Sequence, residues 1–193
     1  MTKKIAVING HPNSEAFNVA IAQSYIEAAR ASGAEVRVIT VADLDFNPNL
    51  QYGYRKRMEL EPDLLNAWET ICWAEHLVWI HPVWWGGLPA ITKGFIDRLF
   101  LPGMAFRYRD NSVWWDKLLK GKSARIITTL DQPGWAYRLL FGRPSVNQLK
   151  RAVLQFCGVT PVGITYLSVI RNSDEKSRQK LLDKAKRLGA GLK

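Results

Sequence analysis

His76-Leu77-Val78-Trp79-Ile80-His81-Pro82 is an apolar run of strand length with no alternation between wet and dry positions. A strand dry on both sides belongs inside a parallel sheet covered by helices. The flanking chain fits that reading. Asp63–Glu75 has Leu64, Leu65, Trp68, Ile71 and Cys72 at helical spacing, and after Gly86-Gly87 the stretch Pro89–Phe100 reads as a second helix, opened by proline. Further out, Lys4–Gly10 (KIAVING), Glu35–Val41 (EVRVITV), Ser123–Leu130 (SARIITTL) and Val162–Ile170 supply four more strands. A helix from Ser14 to Gly33, one over Ser145–Cys157, and one capped by Ser173 and running to about Leu188 lie between or after them. Five strands alternating with helices predict an α/β fold, a parallel sheet with helices on both faces. Residues 43–62 and 102–120 are left as long connections, and connections of that length tend to be functional.

The 193 residues are 47% hydrophobic and 23% charged, which suits one soluble domain over 1–193 and excludes disorder. No apolar run approaches 20 residues, and the start, Met1-Thr2-Lys3-Lys4, has too short an apolar stretch behind it for a secretory signal. The expectation is a cytoplasmic protein. Cys72 and Cys157 form no motif and read as buried free thiols. The formal charge is +10, and residues 174–193 carry seven basic side chains against three acidic ones. That balance attracts anions: phosphorylated cofactors, an acidic membrane surface or nucleic acid, the last resting on charge alone. No nucleic-acid partner is expected.

In an open parallel sheet, ligands bind beyond the carboxyl ends of the strands, where strand order reverses. Three loops qualify: Asn9–Asn18, Pro82–Gly87 and Thr128–Tyr137. The first enters a helix amino-terminus, which favours phosphate, with His11, Ser14 and Asn18 adding polar groups and Glu15 opposing them. The second, Pro82-Val83-Trp84-Trp85-Gly86-Gly87, places two indoles and two glycines at a strand end. Stacking on a flat cofactor explains both features, and a dimer interface explains the indoles equally well. Phosphate-cradle and nucleotide motifs are missing: Gly121-Lys122-Ser123 lacks its upstream glycine, and neither G-x-G-x-x-G nor G-x-S-x-G occurs. Cys72, His76 and His81 do not share one face, so no metal site is expected.

Asn9-Gly10-His11-Pro12, Phe17-Asn18, Pro82-Val83-Trp84-Trp85-Gly86 and Pro89–Arg98 (PAITKGFIDR) resemble the NAD(P)H:quinone oxidoreductase family, which includes DT-diaphorase and the modulator-of-drug-activity B flavoproteins. Phe100–Tyr108 and Thr128-Thr129 extend the resemblance along most of the chain. It implies a flavodoxin-like three-layer sandwich with strand order 2-1-3-4-5. It also implies two-electron transfer from NADPH or NADH, through FAD or FMN, to a quinone. His11, Ser14, Phe17 and Asn18 fall where the family holds the phosphates and outer end of the flavin. Pro82, Val83, Trp84, Trp85 and Gly86, with Thr128, Thr129, Leu130 and Asp131, fall around its ring. Phe106 and Tyr108 fall in a loop that covers the quinone pocket, often from the second subunit of a homodimer. Tyr137 lies near a tyrosine that handles charge on the reduced ring. Two departures stand out: Leu130-Asp131 replaces glycines after the paired threonines, and no histidine follows Tyr137. Some relatives serve as ancillary subunits of membrane transporters, so docking on a membrane partner is the alternative function.

Overall fold

A computed structural model describes residues 2–193. Its elements are β1 (Lys4–Asn9), α1 (Phe17–Ala31), β2 (Glu35–Thr40), α2 (Pro62–Trp73), β3 (His76–Pro82), α3 (Ala90–Leu99), β4 (Phe106–Tyr108) and β5 (Trp115–Lys117). They continue with β6 (Ser123–Leu130), α4 (Gly134–Leu139), α5 (Pro144–Asn147), β7 (Val162–Ser168) and α6 (Glu175–Ala190). The five parallel strands lie in the order β2-β1-β3-β6-β7, which is the expected 2-1-3-4-5 arrangement; β4 and β5 form a separate antiparallel pair.

Side chains alternate across a strand, and here that period of two divides one sequence between two cores. Ile5 and Val7 of β1 join Val78 and Ile80 of β3 in packing on Ile21, Tyr25 and Ala185 of α1 and α6. Ala6 and Ile8 join Leu77 and Trp79 on the opposite face against Leu64 and Ile71 of α2 and Phe95 of α3. All seven residues of β3 are buried, as its unbroken apolar run requires.

Several local expectations change. Ser14 does not cap α1; the helix begins after Ala16, without any side-chain cap, and Glu15 lies outside it. The cap of α6 is Asp174, not Ser173, and its carboxylate accepts the Ser177 N–H at 2.8 Å. The helix expected over Ser145–Cys157 starts as α5 and continues as a π-helix over Gln148–Gln155. Cys72 is exposed; Cys157 is buried, and burial pushes its thiol up to about 12.

The long connection 43–62 is tied down by Arg98 of α3, which is fully buried. Its guanidinium forks onto Glu61 at 3.0 and 2.8 Å and donates to the carbonyls of Asn47 and Glu59. Burial works to raise the Glu61 carboxyl, but Arg98 and the Asn47 N–H together hold it below its ordinary value.

Candidate active site

The strand order reverses between β1 and β3, and the loops leaving their carboxyl ends meet there. At the end of β1, the Gly10 N–H donates to Ile80 and its carbonyl accepts from Thr92 Oγ1. A Cβ at Gly10 would stand 2.6 Å from that hydroxyl, so only glycine lets the loop pass α3. His11 folds back, its Nδ1 accepting the Asn13 N–H at 3.0 Å. Burial pushes its ring below the ordinary value against the opposing pull of the Asn13 carbonyl. The same ring meets Trp84 edge-on at 5.6 Å, joining the first and second loops.

Phe17 and Asn18 open α1, whose first turn has neither an acid nor a side-chain cap. Free N–H groups and the helix dipole therefore face outward. Asn18 is buried; its Oδ1 accepts from Thr129 Oγ1 at 3.2 Å, and its Nδ2 has no partner. An unpartnered donor in the first turn of an uncapped helix fits an anionic oxygen such as a flavin phosphate. Ser14 is exposed in the turn ahead of the helix.

The second loop is a two-residue hairpin. Trp84 and Gly87 exchange both backbone hydrogen bonds, at 3.1 and 2.8 Å, leaving Trp85 and Gly86 at the tip with φ of 50° and 77°. Two positive φ values are the geometry of a type I′ turn, in which an aromatic residue is unusual. The turn pushes Trp85 wholly into solvent, at 107% exposure. Strain of this kind collects at ligand clamps.

Between this turn and the end of β6 lies an open cleft of about 430 Å³. Val83, Trp85, Gly86, Leu130 and Asp131 line it as the sequence predicts, and Gln132, Phe141 and Pro144 complete it. Gln132 continues the predicted loop, whereas Phe141 and Pro144 arrive only because the chain turns back after α4, through Arg143 at φ 57°. Gly86, its φ positive, brings backbone to the cleft wall.

Other expected residues sit elsewhere. Pro82, Thr128 and Thr129 are buried at the strand ends, beneath the cleft rather than in its lining. Thr128 pairs in register with His81, which is fully buried with both ring nitrogens unpartnered and is pushed by burial to about 3. Asp131 also accepts the Arg171 N–H at 3.0 Å and so fixes the turn after β7. Tyr137, expected to handle charge, is buried, with its hydroxyl 3.1 Å from the Gly86 carbonyl and 2.7 Å from Ser145 Oγ, and it accepts the Ser145 N–H. Those bonds make it a brace between the hairpin and α5.

Phe106 and Tyr108 do not reach this cleft. They border a separate groove of about 290 Å³ with Tyr54, Lys93 and Phe156. Phe106 is buried edge-on against Phe156, and Trp115 stacks on the same ring at 4.2 Å, so both fold onto their own subunit's core. Tyr108 and Trp114 are exposed.

A family model described as a flavodoxin-like fold, Flavodoxin_2, matches residues 3–190. A Haemophilus influenzae relative, named an uncharacterized NAD(P)H oxidoreductase, is 27% identical over 185 residues, 93% of this chain and 90% of that protein. The crystal structure of Smu.1420 from Streptococcus mutans superposes with a TM-score of 0.82 at 33% identity, covering 97% of this chain and 98% of that one. The NAD(P)H:quinone oxidoreductase from Methanothermobacter marburgensis has the same fold, with a TM-score of 0.83, 21% identity and complete coverage of both chains. With the sheet order and a match from residue 3 to residue 190, the chain belongs to the Flavodoxin_2 family of flavodoxin-like folds.

Proposed function

We propose that residues 1–193 form one flavin-binding domain acting as an NAD(P)H:quinone oxidoreductase. The observation that carries this is the strained Trp84–Gly87 turn, which holds the Trp85 indole in solvent while Trp84 touches His11 in the loop that leads to an uncapped helix amino-terminus. The names of the Haemophilus and Methanothermobacter proteins support the same chemistry. A bound flavin would supply the two-electron relay between NAD(P)H and the quinone. The first turn of α1 and Asn18 Nδ2 would hold its phosphate, and Trp85, Gly86, Leu130 and Asp131 would border its ring. Phe141 and Pro144 complete the lining of the cleft.

FAD is the proposed flavin and FMN the alternative. Arg178 of α6 lies over the Phe17 ring at 5.4 Å, a cationic ledge at the start of α1 suited to a second phosphate. NADPH is favoured over NADH through Arg138, exposed in the last turn of α4, the helix that joins the two ends of the cleft lining. Arg107 is exposed on β4, outside the cleft lining, and Arg109 is paired with Asp116 at 2.6 Å. Donor and acceptor share one cleft, so they must alternate. The exposed Tyr108 and Trp114 suit a homodimer in which a partner covers them.

The test is to load the purified protein with FAD or FMN and vary NADPH at several quinone concentrations. Parallel double-reciprocal lines are expected. Intersecting lines refute the shared cleft, and a protein that takes up neither flavin refutes the reading as a whole.

A further inference from the structure

Leu139, Leu140 and Phe141 follow one another at the end of α4 and are 77%, 72% and 58% exposed. Arg138 before them and Gly142 after them are exposed too, and so is Trp135, one turn earlier. Four large apolar side chains within seven residues is more than a protein surface gathers without a partner. The form of the cluster says which partner. Successive helical residues point about 100° apart, so Arg138, Leu139 and Leu140 face three directions around the end of α4. A protein partner covers one side of such a tip. A fluid apolar medium surrounds it. The charges agree: Arg138 stands within the tip and Arg143 just behind it, on a chain of net charge +10. Phe141 belongs to both the tip and the cleft lining, so the two are continuous.

We propose that the Trp135–Phe141 tip docks the protein on an anionic lipid bilayer, and that the cleft takes a lipid-soluble quinone from it. The second clause rests on the quinone-reductase reading; the docking does not. Apolar and indole side chains of an interfacial segment lie at the acyl boundary while arginines meet the lipid phosphates. No helix among the described residues is long and apolar enough to cross a membrane, so the contact made by the tip is peripheral. A cleft opening at that depth admits the flat quinone ring while its hydrocarbon chain stays in lipid.

The flavin-loaded protein is sedimented with vesicles of equal parts phosphatidylcholine and phosphatidylglycerol, and with phosphatidylcholine alone. It is expected to pellet with the anionic vesicles. The double substitution Leu139→Glu, Leu140→Glu, at two exposed positions outside the cleft lining, is expected to lower binding by about tenfold or more. It leaves reduction of a chainless, water-soluble benzoquinone unchanged and slows reduction of a long-chain quinone carried in the vesicles. Trp135→Ser is the second variant, should the first fail to fold. No pelleting, or equal pelleting by the variants, overturns the docking. Pelleting without reduction of either quinone overturns the quinone reading and leaves the docking intact. Equal reduction of the vesicle quinone by protein and variant overturns delivery from lipid. Loss of a dimer in the variants, with wild type that does not pellet, makes the tip a protein interface and refutes the proposal.

Discussion

Trp85 adopts a left-handed conformation that costs a non-glycine residue about 1–2 kcal/mol, and it makes up none of this by burial. Trp85→Gly should therefore raise the stability of the flavin-free protein by about 1 kcal/mol in urea titration. Loss of a stacking partner should weaken flavin or quinone binding about three- to tenfold in fluorescence titration. A variant that loses stability would show that the indole serves the fold. His81 offers a prediction of the opposite kind. Its ring is held neutral by burial at a value of about 3, against about 6.5 in an unfolded chain. Between those values the unfolded state binds the extra proton, so stability is complete above pH 6.5 and falls as the pH drops. The contribution of this one group approaches about 1.4 kcal/mol per pH unit. His81→Leu should flatten the acid limb of the stability curve by that much, and an unchanged slope would remove His81 as its cause. His76, pushed to about 4 chiefly by burial, leaves a second dependence in the variant over a narrower pH window.

At the scale of elements, the regular pieces were legible because each carries a local signature, either an apolar run of strand length or a helical spacing of apolar residues. His76–Pro82 and Ser123–Leu130 are strands over the residues that composition assigns them. The β4–β5 pair escaped notice because three-residue strands such as Phe106–Tyr108 show no period, and α4 because Gly134 and Pro133 read as a turn. Ser14 has the chemistry of a cap but sits two residues too early, since the Asn13 side chain and the His11 ring organise a tighter turn first. In the site, the strand-end residues could be placed from topology alone. Phe141 and Pro144 could not, because they arrive through a chain reversal. The connection 43–62 depends on one buried cation in α3. Glu61→Gln leaves the Arg98 guanidinium buried without its counter-charge, and should cost about 3 kcal/mol in urea unfolding. Flavin content of the folded fraction should not change, because neither residue lines the cleft.

For the whole molecule, the two grooves lie apart in one chain, and the aromatic hairpin that family resemblance assigns to the quinone pocket borders the wrong one. A twofold partner would resolve this by bringing exposed Tyr108 of one chain to the cleft of the other. Sedimentation should then give a dimer at micromolar concentration. Tyr108→Ala should raise the quinone KM several-fold with flavin content unchanged, whereas buried Phe106 should affect stability first. An active monomer would exclude the shared pocket. The Tyr137 brace bears on the same cleft in a different way. Its hydroxyl joins the Gly86 carbonyl to Ser145, so the hairpin wall and the α5 wall are cross-linked before a ligand arrives. The spacing of the walls is therefore set in the free protein, and the entropy of ordering them is charged to folding rather than to each binding event. A cleft whose walls are set this way should discriminate by ring thickness, so competition binding is expected to favour thin planar molecules of many kinds over a puckered one of the same polarity.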